Sequence, residues 1–196
     1  MTAVTGILLA AGSARRFGAA KLLQPLPDGV PVAAAAAQSL IEALPNTVAV
    51  VKAGDHALIE LFTELGLQVV ENPQAAEGMG SSLAAGVNAT ITATTASRTD
   101  GWLIMLADMP WIQPATIAVL ADRLKKGASM VAPVYAGQRG HPVGFCSHWL
   151  QPLRDLSGDK GARDLIRDHP DALELFATED AGVVKDIDYP QDLRRY

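Results

Sequence analysis

The feature that most constrains this chain is an apolar run that leads directly into a glycine-containing loop carrying two cations. Residues 6–11 predict a buried strand, and the small residues that follow allow a backbone to approach a bulky ligand closely. The loop combines exposed backbone N–H groups with the positive charges of Arg16 and Lys21. Placed where a parallel strand ends, that combination suits a polyphosphate.

The loop matches neither of two well-known phosphate-binding patterns. Its spacing is not G-x-G-x-x-G and not G-x-x-x-x-G-K-[ST], so it indicates neither a dinucleotide fingerprint nor a P-loop. The alternative is an ordinary strand-to-helix turn with two solvated basic residues, because short glycine motifs recur by accident.

Length and composition set limits on the class of protein. We expect 196 residues to form one domain, 1–196, that buries a sizeable core. A net charge of -5 argues against binding to a nucleic-acid backbone, whereas a nucleotide needs only local positive charge. The single cysteine, Cys146, excludes an internal disulfide, and four scattered histidines indicate no soft-metal site.

The sequence contains no membrane or export signal that we recognise. No apolar run approaches the roughly 20 residues of a membrane-spanning helix. The N-terminus has no cationic segment followed by an apolar one. We therefore expect a cytoplasmic protein that does not contact membranes.

Alternating strand and helix patterns predict an α/β doubly wound domain with a mostly parallel sheet. A turn at 137–141 followed by an apolar stretch predicts a small antiparallel hairpin. The predicted strands are 6–11, 47–52, 67–70, 102–107, 129–135, 142–146, 173–177 and 182–184. The predicted helices are 31–44, 55–65 with Asp55 as its cap, 84–93 and 114–126.

Asp108 stands immediately after the most apolar predicted strand. A carboxylate in that position lies in the crevice where open α/β sheets bind ligands. It is costly there unless it is solvated, paired or bound to a metal. The alternative is that Asp108 caps the turn that follows.

Six segments resemble one family, the MobA/MocA-like nucleotidyltransferases that activate molybdopterin, over essentially the whole chain. The segments are LAAGSARRFG with Lys21, NPQAAEGMGSSL, LADMP, GQRGHPVGF with GDKGAR, and DIDYPQDL. The resemblance implies a Rossmann-like three-layer α/β/α fold of the nucleotide-diphospho-sugar transferase type. It also implies a first loop that wraps a nucleoside triphosphate.

The resemblance carries specific roles to residues of this chain. Asp108 and Asp188 are implied as ligands of Mg2+, and Asp186 is the alternative to Asp188. Tyr189 occupies the position where relatives have Thr. Arg16, Lys21 and Asp108 are the implied catalytic residues. The implied nucleotide-binding residues are Leu9, Ala10, Ala11, Gly12, Ser13, Arg16, Lys21, Gly78, Ser81, Ser82 and Asp108.

Several of these residues also have a purely structural interpretation. Ser81 and Ser82 either border the nucleotide or cap the helix that follows them. The candidates for binding the acceptor substrate are Arg139, His141, Lys160 and Arg163. For His141, the alternative is a structural histidine that forms hydrogen bonds within a turn. For Lys160 and Arg163, the alternative is a solvated helix N-terminus.

The implied reaction is transfer of a nucleoside monophosphate to the phosphate of molybdopterin or molybdenum cofactor. Ala10 and Ala11 favour CTP over GTP, since the guanylyl branch carries LAGG where this chain has LAAG. The alternatives are a guanylyltransferase, a sugar-phosphate nucleotidyltransferase, and a non-catalytic cofactor-binding chaperone for a molybdenum hydroxylase. A related oxidoreductase is a further alternative, but the sequence carries no flavin or nicotinamide fingerprint.

Overall fold

A computed structural model describes residues 3–12, 17, 20–93, 99–159 and 161–194. Its centre is a mixed eight-stranded sheet in the order β3-β2-β1-β4-β7-β5-β6, with β8 paired to β5. The strands are β1 Ala3–Leu9, β2 Thr47–Lys52, β3 Gln68–Asn72, β4 Thr99–Leu106, β5 Met130–Tyr135, β6 Gln138–Arg139, β7 Val143–Cys146 and β8 Leu173–Ala177. The predicted α/β class is confirmed.

The first four strands form a parallel half-sheet whose carboxyl ends share one edge. β1 lies between β2 and β4, with Leu9 opposite Val50 on one side and Leu106 on the other. The ladder continues one residue further, because the N–H of Ala10 donates to Val50 and that of Ala107 donates to Leu9. The loop after β1 and the residues after β4 therefore leave the sheet side by side.

The other half of the sheet is mixed. β7 runs antiparallel between β4 and β5, as the predicted hairpin requires, and the short β6 closes a tight turn with β5. The predicted strand at 182–184 is wrong: Ala181–Val184 is a 3-10 helix. A side chain at Gly182 would meet the Trp111 carbonyl at 2.1 Å, so this segment packs too closely against its neighbour to extend a sheet.

In the described part of the chain, six α-helices cover the sheet: α1 Val32–Ala43, α2 His56–Glu64, α3 Met79–Ala93, α4 Pro114–Lys125, α5 Leu150–Arg154 and α6 Arg163–Asp168. Asp55 caps α2 as predicted, accepting from the N–H of Leu58 at 3.3 Å. α3 begins five residues before the predicted start, and α5 was not predicted. Across the described ranges, no helix is both long and apolar enough to span a bilayer.

The helices lie on both faces of the sheet, which confirms the three-layer arrangement. Successive strand residues alternate between two buried clusters: Leu8 joins the cluster covered by α1, α2 and α4, whereas Ile7 and Leu9 join the one covered by α3, α5 and α6. Because strand side chains alternate between faces, an unbroken apolar strand such as β1 requires both layers.

Candidate active site

Lys21 is held at the carboxyl edge of the parallel strands by a 3-10 turn, Lys21–Leu23. Its ammonium donates to Asp108 Oδ2 at 2.8 Å and lies 3.8 Å from Asp188 Oδ1. The Lys21 side chain is 11% exposed, against 23% for Asp108 and 39% for Asp188. The three side chains thus run from a nearly buried cation to a half-exposed carboxylate at the crevice.

Backbone hydrogen bonds bring the two aspartates together. The N–H of Ile187 donates to the carbonyl of Asp108 at 3.0 Å, so the closing segment lies directly against the end of β4. Ile187 is fully buried and packs in one cluster with Phe17, Leu26 and Val32. The first loop and the closing segment therefore share a core contact beneath the candidate site.

The turn after Asp188 is held by a side chain from the same motif. Asp192 Oδ2 accepts from the N–H of Asp188 at 3.1 Å and from the N–H of Tyr189 at 2.8 Å. Both bonds use backbone donors, so they do not depend on the side chain at 189. Tyr in place of the usual Thr leaves the turn formed, with its own side chain exposed.

Asp186 is a third carboxylate near the pair. Partial burial raises its pKa, the negative charges of Asp108 and Asp188 raise it further, and Lys21 lowers it. Three carboxylates thus share this corner with one described lysine. Such a surplus of negative charge favours a cation.

The side chains at this corner offer carboxylate oxygens, which are the ligands that Mg2+ prefers. Asp108 Oδ1 is buried and has no hydrogen-bond partner among the described residues, so none of those residues occupies this oxygen of the predicted ligand. Where residues are described, no group of three or more His, Cys, Asp or Glu side chains forms a closed metal cluster. Two carboxylates therefore fit an ion that completes its coordination from substrate.

The start of α3 is organised by Asn72, a residue that sequence reasoning did not single out. The buried Asn72 amide donates to the hydroxyls of Ser81 and Ser82, both at 3.0 Å. Ser81 Oγ in turn donates to the carbonyls of Gln74 and Gly78. This network gives hydrogen-bond partners to the serine side chains of the first turn and ties the start of α3 to the end of β3.

A second loop packs against that helix start. The N–H of Gly80 donates to the Gly158 carbonyl at 2.8 Å, and a Cβ on Gly80 would meet Ser157 backbone at 2.6 Å. Gly78 has φ +122° and similarly lies against Gly158 and Asp159. Both glycines are therefore required by close approach, a reason the sequence alone did not reveal.

Of the other residues predicted to bind the nucleotide or the acceptor, some lie in the described part of the chain and others do not. Leu9 and Ala10 are buried at the end of β1, and Gly12 is exposed beyond them. Arg139 is exposed on β6, and Arg163 is exposed at the start of α6. Ser13, Arg16 and Lys160 lie outside the described residues. The roles predicted for all these residues remain predictions.

His141 lies at the amino end of β7, next to the site. Its backbone N–H donates to the Val183 carbonyl at 2.8 Å. A Cβ on the preceding Gly140 would clash with the same carbonyl, at 2.1 Å. Burial lowers the pKa of His141, and the positive charge of Arg139 lowers it further. A hydrogen bond with the Ile104 backbone and the negative charge of Asp108 raise the pKa but do not cancel the effect of burial. We therefore take the imidazole as neutral at neutral pH.

A doubly wound sheet whose strand ends join two aspartates and a lysine, beside a glycine-containing loop, defines a protein of the nucleotide-transferring α/β class. Residues 6–173 match the family model described as the MobA-like NTP transferase domain. The chain belongs to that family and is a nucleotidyltransferase, which confirms the resemblance seen in the sequence.

Individual relatives cover nearly the whole chain. It is 29% identical to nicotine blue oxidoreductase of Paenarthrobacter nicotinovorans, over 98% of this chain and 95% of that protein. It is 27% identical to purine catabolism protein PucB of Bacillus subtilis, over 95% and 92%. Rv0371c of Mycobacterium tuberculosis matches with a TM-score of 0.81 at 29% identity, over 99% and 97%.

A second structure of Rv0371c is a complex with manganese. It matches this chain with a TM-score of 0.76 at 26% identity, over 99% of this chain and 97% of that one. A divalent metal is thus present in a structure of a similar protein.

Proposed function

We propose that this protein transfers a cytidylyl group from CTP to the phosphate of molybdopterin or molybdenum cofactor and releases pyrophosphate, with Mg2+ as cofactor. The observation that carries the proposal is the convergence of Lys21, Asp108 and Asp188 where β1 and β4 end. Both signs of charge needed for a triphosphate and its cation then meet in one crevice. The proposal takes 1–196 as one catalytic domain acting in the cytoplasm.

Asp108 and Asp188 are the residues that would hold Mg2+. This ion is usually bound through one or two carboxylates together with substrate phosphates, and the two converging aspartates could supply these carboxylates. When bound, Mg2+ would offset the negative charge of the triphosphate and assist the departure of pyrophosphate.

The protein needs no strong general base for this reaction. A phosphomonoester has a second pKa of about 6, so the acceptor phosphate is largely deprotonated at neutral pH. One of its oxygens attacks the α-phosphorus of CTP. The bond from that phosphorus to the oxygen bridging the β-phosphate breaks, and its electron pair leaves with pyrophosphate. Lys21, together with Arg16 by resemblance, would stabilise the charge that grows on the leaving group.

The choice of CTP rests on the end of β1. Ala10 is buried and donates its N–H to Val50 at 2.8 Å, so the sheet determines where Ala11 begins the loop. The Ala11 methyl group narrows the space available to a purine. One methyl-sized difference in a pocket discriminates by about 10- to 200-fold. We therefore expect a preference for CTP rather than absolute exclusion of GTP.

The acceptor would be held by cations on the other side of the crevice. Arg139 is exposed on β6 and Arg163 is exposed at the start of α6, and Lys160 precedes Arg163 by three positions in the sequence. Positive side chains suit the acceptor's phosphate. His141 belongs to the same predicted group.

Other functions on this scaffold make different predictions. A guanylyl or sugar-phosphate nucleotidyltransferase would release pyrophosphate with another nucleotide or acceptor. A chaperone for a molybdenum hydroxylase would bind cofactor without releasing pyrophosphate. An oxidoreductase is a further alternative, and one relative is named nicotine blue oxidoreductase. Such an enzyme would consume NADH or NADPH. Each of these outcomes appears in a separate assay.

The deciding experiment measures pyrophosphate release with each nucleoside triphosphate, with and without molybdenum cofactor and Mg2+. We expect release with CTP only when cofactor and metal are both present, and a loss of at least about 100-fold in Asp108→Asn, as for one transition-state charge contact. Asp171→Asn, which changes an exposed aspartate of the Pro170–Ala172 turn, is the matched control. Full turnover in Asp108→Asn would refute the assignment of Asp108.

A further inference from the structure

β8 forms one edge of the sheet, and no other strand in the described part of the chain covers its outer side. Val134 of β5 pairs with Arg139 on one side and with Ala177 of β8 on the other. An uncovered edge is a template for pairing with another chain, and proteins commonly protect it with a proline, a lysine or a bulge. β8 has the sequence LELFA, which contains neither residue, and its register with β5 is unbroken from Leu173 to Ala177.

The backbone of β8 presents a regular set of hydrogen-bonding groups at this edge. The N–H of Thr178, just after the strand, donates to a β5 carbonyl, so the even-numbered residues of β8 direct their backbone groups toward β5 and the odd-numbered ones outward. The N–H of Leu173 is used in the preceding turn, where it donates to Pro170. The groups left for an added strand are the carbonyl of Leu173 and the backbone groups of Leu175 and Ala177.

The side chains at this edge offer apolar surface and charge. Leu175 is 54% exposed, the largest exposed fraction among the large apolar side chains of the described residues. On the other face of β8, Arg123 of α4 forms a salt bridge with Glu174 and lies 4.8 Å from the centre of the Phe176 ring. Between α4 and β8 is an open groove of about 340 Å3, lined by Arg123, Glu174 and the exposed Val119.

We propose that β8 pairs antiparallel with β8 of a second copy of this chain, about a two-fold axis that passes through Leu175. Leu175 then exchanges both backbone hydrogen bonds with its copy, and the N–H of Ala177 donates to the carbonyl of Leu173 across the axis. The two exposed Leu175 side chains cover each other on one face of the extended sheet. This dimer does not depend on the proposed reaction.

The charges at the edge explain why the partner is a second copy. Antiparallel pairing about Leu175 sets Glu174 of one copy opposite Phe176 of the other. Arg123 already contacts both of these residues in its own strand, so it lies between two glutamates once the copies pair. Positive and negative charges then alternate across the axis. A copy of the chain provides this match by symmetry, whereas an unrelated strand would have to carry the same pattern.

The deciding measurement is sedimentation velocity of the full chain from about 1 to about 200 µM, because an interface built on a short strand is expected to be weak. We expect a monomer–dimer equilibrium in wild type. Leu175→Lys and Leu175→Glu should each be monomeric, since like charges would meet at the axis. An equal mixture of the two should dimerise more tightly than either variant alone, because opposite charges then meet.

Matched controls change an exposed residue at the far end of the sheet. Ala57→Lys and Ala57→Glu lie on α2, which packs against β3, and should dimerise as wild type does. Thermal denaturation of each variant controls for loss of fold. Amide hydrogen exchange tests the wild type without any substitution. The N–H groups of Leu175 and Ala177 should become more protected as the protein concentration rises.

Three results would overturn the inference. A wild type that remains monomeric at about 200 µM would leave this edge to a different chain or to solvent. Folded Leu175→Lys and Leu175→Glu variants that dimerise like wild type would show that the copies meet elsewhere. A mixture of these variants that associates no better than each alone would exclude an axis through Leu175.

Discussion

At the scale of single residues, Lys21 is a nearly buried cation whose charge is met by carboxylates from two distant parts of the chain. Burying a charge is tolerated when it is paired and hydrogen-bonded, and Asp108 provides both at 2.8 Å. The lysine thus holds two negative groups close together that would otherwise repel each other. Under the proposed function, this pairing would prepare the crevice for a ligand that carries both phosphate and metal.

The test of Lys21 is Lys21→Met, which keeps a long apolar stem and removes the charge. Losing a charge-assisted contact to the triphosphate should weaken nucleotide binding by about tenfold or more, since about 1.4 kcal/mol is a factor of ten. Calorimetric titration of CTP in the presence of Mg2+ measures this. Lys126→Met, at an exposed pair with Asp122 on α4, is the matched control. Unchanged affinity in Lys21→Met would remove Lys21 from the nucleotide site.

At the scale of elements, the start of α3 depends on a side chain from the end of β3. Asn72 donates to two serine hydroxyls and also accepts from the N–H of Gln74 at 2.9 Å. One residue therefore joins a strand, a connecting segment and a helix. The predicted nucleotide-binding role of Ser81 and Ser82 would depend on this support.

We expect Asn72→Ala to lower the free energy of unfolding by about 1–3 kcal/mol, because it leaves buried serine hydroxyls and a backbone N–H with fewer partners. Urea denaturation followed by circular dichroism measures the loss. Asn46→Ala, at an exposed turn before β2, should change stability by less than about 0.5 kcal/mol. Equal stabilities of the two variants would contradict the structural role of Asn72.

At the scale of the whole molecule, the chain after β8 returns across the sheet edge and completes the site. Asp180 anchors this return: it is buried, and its carboxylate accepts from the N–H of Gln113, the hydroxyl of Thr116 and the N–H of Gly182, at 2.8–2.9 Å. These bonds tie the start of α4 to the segment that leads to Ile187. A residue remote from the reacting groups thus helps to place Asp188.

Asp180→Asn tests that anchor. The amide nitrogen would face donors where a carboxylate oxygen now accepts, and we expect a loss of about 2–3 kcal/mol in the free energy of unfolding. The urea midpoint measures this loss, and the Asp171→Asn control should leave it unchanged. If Asp180→Asn were as stable as wild type, the return segment would have to be held by other contacts.

The sequence predicted elements best where one local signal was strong. β2 was predicted at its observed bounds because a β-branched run ends at a glycine turn. α2 was predicted to within one residue at each end because Asp55 caps it. The strand at 182–184 was wrong because Val183 is buried in the core from a 3-10 helix rather than from a strand of the sheet. The early start of α3 was missed because its first turn has partners from outside the helix: the Gly158 carbonyl accepts from the N–H of Gly80, and Asn72 donates to the hydroxyls of Ser81 and Ser82.

By itself, the sequence determined the α/β class, because apolar periodicity is a local property of the chain, and its motifs carried the resemblance to the family. Only the tertiary structure decided that Lys21 meets Asp108 and Asp188, since residues so distant in sequence are joined by strand register and by the bond from Ile187 to Asp108.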